Sequence, residues 1–203
     1  MKKQTYSKTS KFFNGVASQG WHKSDYFTYT WKFPVMRRWL AGKLPARQKR
    51  VLSVGCGSGE LERDLERLGF AVTGIDVSHV MLQTAARRGL RRLVEADARL
   101  LPFSAASFDA VFFPESIGYF ELEEVMPEAR RVLRKAGRLI ITAYPPDFES
   151  DSIYKKRSLA EISRPLAACG FRVIEQRSLT VKRNAVIEVA SEKDSELLYV
   201  MAR

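Results

Sequence analysis

Two cysteines and two histidines are all the thiolate and imidazole ligands that this chain of 203 residues offers a metal. Cys56 and Cys169 stand far apart and form no CxxC spacing. Neither a disulfide framework nor a metal site is expected, and a reducing compartment is the natural reading. Long hydrophobic runs are missing too. Stretches such as Ala110 to Phe113 and Leu139 to Ile141 are strand-sized, far short of the roughly 20 apolar residues of a membrane span. The opening MKKQTYSKTSK is basic but leads into no apolar segment, so it does not read as a secretory signal. A cytoplasmic protein without a transmembrane segment is expected.

Acids are scarce in one region only. Residues 1–50 hold 12 of the 34 Lys and Arg residues but one of the 23 acids, Asp25. The remaining 22 bases and 22 acids cancel, so the net charge of +11 belongs to this N-terminal arm. The arm also carries an aromatic run: Trp21, Tyr26, Phe27, Tyr29, Trp31 and Phe33. It reads as a helical or irregular cap, or lid, over 1–50, set against a single domain over 51–203.

From residue 51 onward, strand and helix patterns alternate. Val51 to Val54 is a strand that runs into a Gly-rich turn, and Leu61, Leu65 and Leu68 mark one face of the next helix. Ala71 to Asp76 is the second strand, and Ser78 is placed to cap a helix that closes at Gly89. Leu93 to Ala96 and Phe108 to Phe113 are the third and fourth strands. Pro127 is read as the first turn of a helix carrying Ala129, Val132 and Leu133 to Gly137, followed by a strand over Arg138 to Ala143. Ser158 and Glu161 have capping-box spacing, and Pro165 is expected to break or kink that helix before Gly170. Phe171 to Ser178 and Leu197 to Ala202 read as strands, with Ala185 to Ala190 either strand or loop. The alternation predicts an α/β fold: a Rossmann-like, doubly wound, mainly parallel sheet that binds ligands at the carboxyl ends of its strands.

The chemistry concentrates in V-L-S-V-G-C-G-S-G at 51–59. Gly55, Gly57 and Gly59 let the backbone turn sharply and approach a ligand with no Cβ in the way. The spacing is G-x-G-x-G rather than G-x-G-x-x-G, which disfavours a nicotinamide-dependent oxidoreductase. Asp76 ends the second strand 17 residues after Gly59, where a carboxylate accepts from ribose hydroxyls. Asp97 follows the third strand in E-A-D-A, where an acid accepts from the exocyclic adenine amine and a neighbouring amide meets a ring nitrogen.

VLSVGCGSG, GIDVS (74–78) with Met81, EADARLLPF (95–103), SFDAVFF (107–113) and RRVLRKAGRLIITAY (130–144) stand in one order. Together they resemble the class I S-adenosylmethionine-dependent methyltransferases. The likeness is greatest to the small methyltransferase-domain group that includes quinone-biosynthesis C-methyltransferases. FFNGVAS (12–18) resembles the segment that begins many of these proteins. The resemblance implies S-adenosylmethionine as cofactor, with Gly55, Cys56, Gly57 and Gly59 cradling its methionine part. It also implies Asp76 on the ribose, Val77 and Met81 near adenine, Asp97 with the Ala98 amide on the adenine edge, and Glu115 beside the sulfonium. The family usually has an acid, organising the turn and the cofactor's amino-acid end, where this chain has Ser53; a hydroxyl can still hydrogen-bond there.

Methyl transfer from a sulfonium needs mainly an acceptor held in line, with a base only where the acceptor enters protonated. His22 in the arm and Tyr119 after the fourth strand are the catalytic candidates, and Tyr119 and Glu115 are placed to line an acceptor pocket. Cys56 reads as a small filler in the turn, and His79 as structural. FFPESIGYF lacks the asparagine-proline-proline-tyrosine signature of amino-methylating nucleic-acid enzymes. A small-molecule acceptor, anionic or aromatic and lipid-like, is favoured. RNA bound through the basic aromatic arm, an anionic membrane surface and a non-catalytic partner subunit of the same fold are the alternatives. The oligomeric state is left open.

Overall fold

The computed structural model describes residues 2–18, 38–39, 42–44, 50–148, 153–182 and 185–203. Helix α1 (Lys2–Ser18) precedes β1 (Arg50–Val54), α2 (Glu60–Arg67), β2 (Ala71–Asp76), α3 (His79–Arg87), β3 (Leu93–Glu95) and β4 (Phe108–Phe113). A 3-10 turn, Ile117–Tyr119, leads into α4 (Leu122–Val132), β5 (Leu133–Ala143), α5 (Leu159–Ala168), β6 (Val173–Lys182), β7 (Ala185–Glu188) and β8 (Leu197–Ala202). The strands form one sheet in the order β3-β2-β1-β4-β5-β8-β6-β7. The first five are parallel, and β8, β6 and β7 join antiparallel. This is the doubly wound α/β sheet that the alternation predicts. Strand order reverses at β1, which pairs β2 on one side and β4 on the other; the carboxyl ends there form the crevice where such sheets take ligands.

Alternate side chains of a strand face opposite ways, and both faces are covered. Leu52 and Val54 join Val111, Phe113, Leu139 and Ile141 on one face, packed by Val125, Met126 and Ala129 of α4 and by Ile162 and Leu166 of α5. Val51, Ala110, Phe112 and Ile140 lie on the other, with Leu61 and Leu65 of α2. Two-sided burial is why the central strands read as continuous apolar runs rather than alternating ones.

Several local expectations are corrected. Leu68 is 61% exposed, because α2 stops at Arg67 and Leu68 turns away as its C-cap. Pro127 does not start α4 but lies inside it. Its exposed position turns the missing N–H and the unpaired carbonyl one turn back towards water, and the buried stripe Leu122, Val125, Met126, Ala129 carries the helix past it. Leu133 opens β5 and Gly137 lies within that strand. A Cβ on Gly137 would meet the Asp109 carbonyl at 3.0 Å, beside the register irregularity between Phe108 and Ala110. Pro165 does not interrupt α5, which its Ser158–Glu161 capping box starts firmly. Residues 185–188 resolve as the strand β7, and β6 runs on to Lys182.

Leu139 is fully buried between β4 and β8 on the α4–α5 face. Leu139→Ala is expected to cost about 2–5 kcal/mol of stability, read as a lowered denaturation midpoint with an unchanged slope.

Candidate active site

The turn between β1 and α2 is built by three residues that need left-handed backbone: Gly55 at φ 72°, Gly57 at 52° and Gly59 at 77°. Two are also packed. A Cβ on Gly55 would lie 2.5 Å from Cβ of Ser116, and one on Gly59 2.2 Å from Leu90 Cδ1. Gly57 differs, because a Cβ there meets nothing within 4 Å. Gly55 and Gly59 therefore serve the protein's own packing, and Gly57 presents bare backbone to open space. The turn is tied down from below, where Gly55 and Cys56 N–H both donate to the Ile75 carbonyl at 2.8 and 3.0 Å. Arg88 donates to Ser58 from the side and pairs with Glu60.

Asp76, at the carboxyl end of β2, is 8% exposed and takes two backbone donors: Gly57 N–H at 2.9 Å on Oδ2 and Ser78 N–H at 2.8 Å on Oδ1. One acid thus joins the glycine turn to the start of α3. Burial raises its carboxyl above the usual range, and the backbone donors to it oppose that rise. Ser78 caps α3 as expected, accepting from Met81 N–H at 3.2 Å, and Met81 is buried. Parallel register pairs Asp76 with Glu95, so Asp97 lies just beyond the same edge of the sheet. Its carboxylate meets Arg99, whose Nε and Nη2 donate to Oδ2 at 2.9 and 2.6 Å. The adjoining Ala98 is buried.

Sequence reasoning missed Glu62. It is 1% exposed in the first turn of α2, and Ser53 Oγ donates to its Oε1 at 2.5 Å. Burial pushes its carboxyl up to about 7 against that hydrogen bond. The signal was its i, i+3 relation to buried Leu65, which places an acid on the apolar side of the helix. Cys56 is buried in the turn, and burial together with Glu62 and Asp76 holds its thiol well above the ordinary range. It fills space, with its sulfur only 2.8 Å from where a Cβ on Gly74 would be.

Past β4, Glu115 adopts φ 54°, a left-handed conformation uncommon for a side-chain-bearing residue. Its N–H donates to Thr142 Oγ1 at 3.0 Å, and its carboxylate accepts from Tyr144 O–H at 2.6 Å. Burial raises the Glu115 carboxyl. Tyr119 stands edge-on to Phe13 at 4.9 Å and to Tyr154 at 5.0 Å. Burial holds its phenol protonated far above the ordinary range, which fits a wall or a hydrogen-bond donor better than a base. Tyr144 and Tyr154 were not singled out from the sequence.

Helix α1 reaches this region. Ser10 Oγ donates to the Val77 carbonyl at 2.9 Å, and Asn14 Oδ1 accepts from Ser78 O–H at 2.7 Å. FFNGVAS thus docks where β2 hands over to α3. His22 and the aromatics Trp21, Tyr26, Phe27, Tyr29, Trp31 and Phe33 lie outside the described residues. His79 is exposed, paired with Glu95 at 3.0 Å.

Residues 52–141 match the family model described as a methyltransferase domain. The chain is 37% identical over 118 residues to a demethylmenaquinone methyltransferase of Thermus thermophilus, covering 54% of each chain. It is 35% identical over 111 residues to a malonyl-[acyl-carrier protein] O-methyltransferase of Enterobacter lignolyticus, covering 53% of this chain and 44% of that one. The chain thus spans about half the length of the curated relatives it matches. In fold it is similar to an SAM-dependent methyltransferase from Thermotoga maritima, with TM-score 0.72, 20% identity and coverage of 94% and 97%. A second likeness is to an S-adenosylmethionine-dependent methyltransferase from Mesorhizobium loti, with TM-score 0.68, 19% identity and coverage of 83% and 97%.

The buried acid of the domain carries a pH signature. Unfolded, Glu62 titrates near its usual value of 4.5; folded, near 7. Between these the native state holds the extra proton, so stability falls as pH rises through the window and levels off above it. Glu62→Gln removes that loss. The melting temperature of the variant relative to wild type should climb by several degrees between pH 5 and pH 8, in thermal scans of the ligand-free protein.

Proposed function

We propose that the protein is an S-adenosylmethionine-dependent methyltransferase acting on a small-molecule acceptor. The observation that carries this is the open space at Gly57, bounded by the Asp76 carboxylate that the same glycine's N–H holds. Asp76 has lone-pair capacity beyond its backbone donors, and this fits a ribose diol. Val77 and Met81 fit one side of adenine. Asp97 fits its exocyclic amine when it shares its carboxylate with Arg99, and the Ala98 amide fits a ring nitrogen. Gly55, Cys56, Gly57, Gly59 and Ser53 frame the methionine end, and Glu115 stands on the sulfonium side.

When bound, the cofactor supplies an electrophilic methyl group. The chain's task is to hold the acceptor in line and dry. Phe13, Tyr119, Tyr144 and Tyr154 offer aromatic walls for this, with Glu115 as the polar group among them. Residues 1–50 serve as the lid and 51–203 as the catalytic domain, a division supported by the seating of α1 on Val77 and Ser78. His22 belongs to that lid as a candidate base. Small-molecule acceptors are favoured over RNA because the relatives above are named for a quinone precursor and an acyl-carrier-bound malonyl group. Among the described residues no helix is long and apolar enough to cross a membrane, and a cytoplasmic setting agrees with the composition.

Calorimetry with S-adenosylhomocysteine tests the site. Wild type binds, and Asp76→Ala weakens binding roughly 10- to 150-fold, the worth of a hydrogen bond to a charged acceptor. Unchanged affinity in both Asp76→Ala and Asp97→Ala would show that the site lies elsewhere. Asn14→Ala tests the lid. With one hydrogen-bonding anchor of α1 gone, stopped-flow dissociation of S-adenosylhomocysteine should quicken about 5-fold, and an unchanged rate would place α1 outside the binding step.

A further inference from the structure

Glu62 is an expensive residue. A carboxylate in the interior is normally paired with a cation or neutralised, yet the charged groups acting on this one are Glu60 and Asp76, both acids. Among the described residues no Lys, Arg or His makes an ion pair with it. Glu60 is neutralised by Arg88 across the turn, which leaves Glu62 uncompensated. Its hydrogen-bond partners are Ser53 Oγ at 2.5 Å and its own backbone N–H. Ser53 is itself fully buried near the end of β1, two residues before the glycine turn. The acid lies close enough to the turn to help raise the Cys56 thiol. An acid without a counter-cation therefore sits beneath the loop assigned above to the cofactor's amino-acid end. That end carries an ammonium beside its own carboxylate, and an acid under the loop can balance the ammonium.

We propose that Glu62 supplies the carboxylate beneath the glycine turn that balances the ammonium of the cofactor's amino-acid end, with Ser53 holding it in place. The strand position where an acid is expected by resemblance carries a hydroxyl, and the negative charge comes instead from the first turn of the following helix. The two positions lie within one hydrogen bond of each other, so a carboxylate on either side chain puts its charge at nearly the same point. Burial, which lifts the free carboxyl to about 7, is offset when the ammonium arrives.

This rests on the methyltransferase reading, and two ligands separate the two claims. S-adenosylhomocysteine has the amino-acid end; 5′-methylthioadenosine keeps the nucleoside and lacks it. Calorimetry on the full chain should show Glu62→Gln weakening S-adenosylhomocysteine about 10-fold or more, with 5′-methylthioadenosine changed less than about 2-fold. The exchange variant, Ser53→Asp with Glu62→Gln, should return S-adenosylhomocysteine to within about 3-fold of wild type. Thermal unfolding confirms that each variant is folded. Equal losses for both ligands would make Glu62 a prop for the turn and overturn the proposal, as would undiminished S-adenosylhomocysteine affinity in Glu62→Gln. Failure of the exchange to restore binding would also overturn it. Wild type that binds neither ligand would remove the methyltransferase reading itself.

Discussion

The hydrogen bond from Gly57 N–H to the Asp76 carboxylate is the contact on which the site depends. It ties the loop after β1 to the end of β2, and the other oxygen of the same acid ties β2 to α3 through Ser78. Three consecutive pieces of the chain are thereby set around one space. None of them alone would define it. A glycine turn can be a plain bend, and a strand-end acid can be a plain cap. Joined through one carboxylate, they fix the backbone around the open space at Gly57.

Holding that arrangement costs stability. Asp76 and Glu62 are buried and Glu115 half-buried, loss of water raises all three carboxyls, and Glu115 also takes a left-handed backbone. The three acids gather around the carboxyl ends of β1, β2 and β4. The two apolar faces, with residues such as Leu52, Val111 and Ile141 fully buried, provide the stability that lets the edge stay polar and strained. Concentration of unfavourable terms at one edge is what a binding and catalytic function asks of a fold.

Much of this was legible from local chemistry. The glycines, Asp76, the Ser78 cap and the alternating elements each depend on neighbours a few residues away, so pattern alone finds them. The prolines misled because their effect depends on which way they face: Pro127 turns its missing donor to solvent, and the buried stripe around it decides for helix. Gly137 read as a helix end but sits inside β5, where close approach to β4 excludes a side chain. Glu62, Tyr144 and Tyr154 were invisible as site residues because their roles come from tertiary proximity: Glu62 to Ser53, and Tyr144 to Glu115 across the ends of β4 and β5. The same holds for Asn14, whose partner Ser78 lies 64 residues away. Asp97 was singled out from the sequence, but its pairing with Arg99 was not.

The central claim is that the loop at 55–59, the β2–α3 junction and the end of β3 form one ligand slot. Hydrogen–deuterium exchange with and without saturating S-adenosylhomocysteine tests it most directly. Slowed exchange confined to peptides covering 55–62, 76–82 and 96–99, with α1 following, is the predicted result. Protection centred on β6 and β7, or no change in those three segments despite measured binding, would contradict it.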